Sequence, residues 1–227
     1  MPSNTIFQQI QDKFDVILAS SSLRRYQILH DIMGFHNLKV MKPSFEEDLD
    51  KTLYRDDPIR YVRDTSFCKA EGIVQDLVTQ DAKGSKEKLI ICADTIVIDS
   101  DDIIYEKPGT KDAQLANLKK FCYTDKGHPL RVATAVTVIR WKDTKNYDIR
   151  DPFHETTELY CDAQIPIELL EEYVESGEGV AVAGGLMIQG ISGIIIKSIN
   201  GDYNNVVGLP LNRTFQAIYQ ELNLRVK

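Results

Sequence analysis

The sequence predicts an α/β fold built on a mixed β-sheet with flanking helices. Three observations carry this. Strand-like and helix-like segments alternate through the first half of the chain, the order that layers helices on a sheet. Leu89-Ile90-Ile91-Cys92-Ala93 is continuously apolar, the pattern of a strand covered on both faces. Residues 128–141 and 153–162 then form a pair of strand-like segments with no helix between them, which makes the sheet mixed.

Taken in order, residues 1–14 are polar and amphipathic and lack the apolar core of a cleavable leader. They read as an N-terminal extension, with a single domain over 15–227. Residues 15–19 are a short apolar strand. Residues 23–33 carry Leu23, Ile28, Leu29 and Ile32 at helical spacing, with a serine as cap and Gly34 as stop. Residues 38–41 form a second strand, closed by Pro43. Asp57-Pro58 opens a helix that reaches about Leu77, with proline in its first turn. Residues 81–88 are a polar surface loop. The apolar run 89–93 extends through 95–98 into an acidic turn at 99–102. Helices are expected at 112–123 and 166–176, the second ended by Gly177. A Gly-rich stretch follows at 184–193, then a strand at 194–199 and a last helix at 210–222. The chain shows no internal repeat and no linker.

Hydrophobic residues make up 43% of 227 positions, enough to bury a core, and the formal charge is -7. Proteins that wrap a nucleic-acid backbone carry a basic face, so the charge favours a small anionic ligand held by a few placed cations over nucleic acid. The four cysteines (Cys68, Cys92, Cys122, Cys161) form no C-x-x-C pair and read as reduced structural thiols. The four histidines lack metal-ligand spacing. No apolar stretch approaches the ~18–20 residues of a membrane span, so the expected location is cytoplasmic.

The candidate chemistry begins at Ser20-Ser21-Ser22-Leu23-Arg24-Arg25. A strand end, a small-residue turn and a helix start together offer unpaired N–H groups that suit phosphate. The hydroxyls and the two forked cations add to that. On its own the segment is better read as an ordinary cap beside solvated arginines. Asp94 follows a buried run, where a carboxylate holds a divalent cation or activates water. Asp99-Ser100-Asp101 resembles a phosphatase nucleophile loop only faintly, because Ile103 stands where that loop needs threonine. Lys107, Lys69 and the pair Glu46-Glu47 are individually weak signals. Gln189 has the paired donor and acceptor that read a base edge.

Together and in this order, the pieces resemble the Maf family of nucleoside triphosphate pyrophosphatases. The matching stretches are LASSSLRR (18–25), EE (46–47), YVRDTSFCKA (61–70), ADTIV (93–97), EKP (106–108), TAVTV (134–138), AGGLMIQG (183–190) and NGDYNNVVGLPL (200–211). They span nearly the whole chain. The resemblance implies an elongated α/β fold with two lobes around a cleft, similar to inosine-triphosphate pyrophosphatases, and a homodimer. It implies a hydrolase acting on acid anhydrides that cuts nucleoside triphosphates to the monophosphate and pyrophosphate with Mg²⁺ or Mn²⁺. Asp94 is then the catalytic carboxylate, and Glu47 assists it or shares the metal. Ser20, Arg24, Arg25, Lys69 and Lys107 line the phosphate path. Arg24, Thr95 and Gln189 set specificity, and Thr95 and Gln189 match the branch resembling dTTP/UTP pyrophosphatases. Leu23 stands where the family usually has proline, and Val182 where many members carry lysine. Because the family's name comes from an effect on cell division, a nucleotide-binding regulator without turnover is the competing reading.

Overall fold

The computed structural model describes residues 5–45, 49–80 and 86–223. One open, mixed, eight-stranded sheet is its frame. Strands β1 (Phe14–Ala19), β2 (Lys39–Val40), β3 (Glu87–Ile98), β4 (Ile104–Tyr105), β5 (Leu130–Asp143), β6 (Asn146–Ile149), β7 (Phe153–Cys161) and β8 (Ile196–Asn200) follow in the chain. The main path is β2-β1-β3-β5-β7-β8, with β4 beside β3 and β6 beside β5. Both β2 and β3 run parallel to β1, and the remaining pairings are antiparallel. The mixed sheet read from the sequence is therefore present.

Strand β3 is the spine, and residues 89–93 are completely buried within it. It begins two residues inside the expected loop, at Glu87. There the pairing with β1 starts opposite Phe14, and the Glu87 carboxylate accepts from Arg140 of β5 at 2.6 Å. The two flanking pairings leave a gap. β1 accompanies β3 only as far as Cys92, and β4 joins from Val97. Among the described residues, positions 93–96 have no partner strand on that edge.

The helices are α1 (Ile6–Lys13), α2 (Leu23–Gln27), α3 (Pro58–Thr79), α4 (Lys111–Lys119), α5 (Ile167–Glu175), α6 (Ser192–Ile195), α7 (Tyr203–Val207) and α8 (Leu211–Asn223). The segment ahead of residue 15 forms α1, capped by Thr5, which accepts from the Gln8 N–H at 3.2 Å. It buries Ile10 and sets Phe7 edge-on to Phe35 and Phe215. Helix α2 runs on as a π-helical turn over Ile28–Ile32. Asp57 caps α3 and Pro58 occupies its first turn, as the sequence indicates. Tyr61, Val62, Ala70, Ile73, Val74 and Leu77 of α3 are buried. They pack on the face of β3 and β5 that carries Ile90, Cys92 and Ile96.

The expected strand at 194–199 is displaced. Ile194 and Ile195 belong to α6, because the Ile195 carbonyl accepts from the Asp162 N–H at 2.8 Å and a bulge at Tyr160/Cys161 resets the pairing to Cys161 opposite Ile196.

Away from α3 the interior divides in two. One core gathers Ile10, Leu18, Ile28, Leu89, Ile91 and Ile218. The other gathers Val97, Leu118, Phe121, Leu159, Tyr173 and Leu186. The cleft opens over the gap in β3. All four cysteines are free thiols, and burial pushes the Cys92 thiol up to about 12.

The acidic turn after β3 is a structural device. Asp99 is fully buried. It accepts from the N–H groups of Asp101 and Ile103, both at 2.9 Å, and from the Tyr105 hydroxyl at 2.8 Å, and it pairs with Lys120. Burial raises its pKa, but these donors outweigh burial and hold the carboxyl below its ordinary value. A carboxylate so fully engaged is not poised as a nucleophile, which agrees with the missing threonine at Ile103.

Candidate active site

The segment after β1 forms one wall of the cleft. Ser22 caps α2 by accepting from the Arg25 N–H at 3.4 Å, and the Ser20 hydroxyl accepts from the Ser22 N–H at 3.2 Å. Arg25 is buried and its fork is committed. Nε donates to the Gly208 carbonyl at 2.9 Å, Nη1 to Ser20 Oγ at 3.1 Å and Nη2 to Thr95 Oγ1 at 2.8 Å. Thr95 also meets Thr134 Oγ1 at 2.9 Å, and Thr134 donates to the Asn205 carbonyl at 3.1 Å. Arg25 thus braces the β1–α2 turn against β3 and the turn after α7. The sequence placed it on the phosphate path; the structure puts it in the wall with its donors already engaged.

The floor is a buried ion pair. Helix α3 delivers Lys69 and β3 delivers Asp94, and Lys69 Nζ lies 2.6 Å from Asp94 Oδ1. Their side chains are only 7% and 9% exposed, so the attraction acts in a medium far less screening than water. The same face of α3 is fixed by Ser66, whose hydroxyl bonds to that of Thr137 at 2.8 Å. Among the described residues no donor bonds to Asp94 Oδ2.

The opposite wall comes from the Gly-rich segment. The Gly184 N–H donates to the Glu106 carbonyl at 3.0 Å, and the Gly109 N–H to the Val180 carbonyl at 3.1 Å. Gly184 has φ +67, and a Cβ there would meet Val97 Cγ2 at 2.8 Å, so both conformation and space require glycine. Two buried side chains that the sequence reading missed hold this wall. Tyr173 donates to the Gly185 carbonyl at 2.9 Å and accepts from the Met187 N–H at 3.0 Å. Gln114 Nε2 donates to the carbonyls of Glu178 at 2.8 Å and Gly185 at 3.1 Å. Nothing in their local sequence marks them, because their partners are main-chain atoms ~10–70 residues away in the chain.

The cleft between these walls has a volume of about 330 Å³, within the usual range for small-ligand sites. Ser20, Arg24, Arg25, Lys69, Asp94, Thr95 and Lys107 all line it, so the structure brings most of the sequence-derived set together. Lys42 also lines it and was not singled out, because its neighbours in the chain do not mark it. Arg24 is half-buried, and burial lowers its pKa while the nearby Tyr173 opposes that. Gln189 is exposed and is not among the lining residues. Glu47 lies outside the described residues. Asp94 is the one carboxylate among the described lining residues, set against five cations. Such a pocket suits a polyanion, with one acidic group left to work on water.

Comparison with known proteins identifies the family. The family described as Maf-like protein matches residues 15–221. A protein of Saccharomyces cerevisiae named dTTP/UTP pyrophosphatase is 53% identical over 94% of this chain and 93% of its own length. A Schizosaccharomyces pombe protein of the same name is 38% identical over 96% and 88%. One from Thermoanaerobacter sp. is 32% identical over 93% and 98%.

Proposed function

The chain belongs to the Maf family, and from that premise we propose that it is a dTTP/UTP pyrophosphatase that cuts these nucleotides to the monophosphate and pyrophosphate. The observation that carries the reading is the cleft's charge pattern: among the described lining residues one carboxylate, fixed by Lys69, stands with five cations on a protein of net charge -7. The names of the relatives supply the substrate.

In this mechanism Arg24 and Lys107 offset the charge of the phosphate chain, which otherwise repels an attacking water. Lys69 holds Asp94 by Oδ1, and Oδ2 orients the water and accepts its proton as it attacks phosphorus. The bond between the bridging oxygen and phosphorus breaks, and pyrophosphate leaves. Arg25 acts by holding Thr95 and Ser20 in place.

The donor set fits a divalent cation such as Mg²⁺ or Mn²⁺. Such ions take one or two carboxylates and complete their shell with phosphate oxygens and water. Asp94, with Glu47 as the family resemblance implies, would hold it. When bound it adds positive charge where the phosphates crowd. The homodimer belongs to the same reading and rests on the family resemblance, and the cytoplasmic location rests on the lack of a long apolar stretch in the sequence. Among the described residues no helix is long and apolar enough to cross a membrane.

A panel of canonical and modified nucleotides, each with Mg²⁺ or Mn²⁺, tests the substrate class. The expected result is the highest kcat/KM for dTTP and UTP. Binding without hydrolysis across the panel would replace the enzyme with a nucleotide-binding regulator.

A further inference from the structure

We infer that Lys42 is a substrate-binding cation of this cleft, a position not among the sequence-derived site residues. This rests on the proposed pyrophosphatase reading, and adds to it a residue that receives the phosphate chain.

Strands β1 and β2 are parallel, with Leu18 opposite Val40. The Met41 N–H continues the ladder to the Leu18 carbonyl at 3.0 Å. Two further steps set Lys42 beside Ser20, at the carboxyl end of a parallel strand. That is where ligands bind in open α/β sheets. The same register places Ser20 next to β3 where Asp94 follows Cys92 and Ala93. Three neighbouring strands thus present Lys42, Ser20 and Asp94 to one cleft.

The backbone around Lys42 is anchored. On one side is the Met41 bond. On the other, the Ser44 N–H donates to Asp76 Oδ2 of α3 at 3.0 Å. Phe45 sits on α3 at Gly72, where an added Cβ would meet Phe45 Cβ at 3.1 Å and its backbone N at 3.2 Å. Glycine at 72 is what lets this loop seat so closely. The turn is held, while the Lys42 side chain is exposed at the cleft wall.

The cations of the cleft also divide by commitment. Arg25 is spent on Ser20, Thr95 and Gly208, and Lys69 on Asp94. Lys42, Arg24 and Lys107 line the same space and make no hydrogen bond or ion pair with any described residue. Three uncommitted cations around one cavity match an anion with several charges along its length. Lys42 is the one that reaches it from the β2 side.

The test uses inorganic pyrophosphate as the probe. Calorimetric titration of the full chain, its Lys42→Gln variant and its Lys42→Arg variant should show about tenfold weaker binding for Gln, the effect of one lost charge-assisted contact. Arg should restore most of it. The Gln defect should shrink as salt rises. In hydrolysis of dTTP, Lys42→Gln should raise KM more than it lowers kcat. Pyrophosphate affinity within twofold of the parent, or a loss that Arg does not rescue, would overturn the role of Lys42. If the parent binds pyrophosphate through Lys42 but hydrolyses no nucleotide, the proposed function fails and the binding role stands.

Discussion

Asp94→Asn should abolish turnover while the cleft still binds nucleotide. The substitution keeps the size of the side chain and an oxygen for Lys69, but removes the proton acceptor. Loss of a positioned general base lowers rates by roughly 10²–10⁴-fold, and loss of a metal-holding carboxylate acts in the same direction. Nucleotide binding should persist or tighten, because a negative charge leaves a cavity that receives phosphates. The folded state should weaken, since Lys69 is buried and loses its counter-charge. Steady-state kinetics, nucleotide titration and a melting curve on one preparation separate these effects. A variant with turnover within tenfold of the parent would remove Asp94 from the chemistry.

Lys69→Met should carry the largest loss of stability. It leaves the Asp94 carboxylate in a site where only 9% of its side chain meets solvent. Breaking a buried pair from one side costs about 3–5 kcal/mol. Turnover should fall too, because Lys69 fixes the oxygen opposite the one that works on water. The double variant Asp94→Asn, Lys69→Met provides the check by denaturant unfolding. Removing both charges should cost less than the two single changes together, the signature of coupled partners. Strict additivity would mean that the 2.6 Å pair contributes nothing to the fold.

Much of this was legible in the sequence because the strands and caps are local. The run 89–93 announced the buried spine, Asp57-Pro58 announced α3, and the serines announced the turn before α2. The candidate site was legible as an ordered set of residues. What the residues do with one another was not. Arg24 and Arg25 are adjacent and look alike, yet one is braced by Ser20, Thr95 and Gly208 and the other is not. That difference comes from contacts 5 to 183 residues apart. Lys69, expected on the phosphate path, lines the cleft and pairs with Asp94, a partner 25 residues away in the chain. Lys42 gave no local signal, because only the parallel register of β1 and β2 brings it beside Ser20. The shift of the last strand to Ile196 likewise depends on a bulge in β7 that single-strand periodicity does not encode.

Which bond is cut decides the reaction class. Phosphorus NMR of the products formed from UTP by the parent protein with Mg²⁺ reads that bond directly. UMP and pyrophosphate are the expected first products; UDP and orthophosphate would overturn the pyrophosphatase reading and move the chain to the phosphatase class.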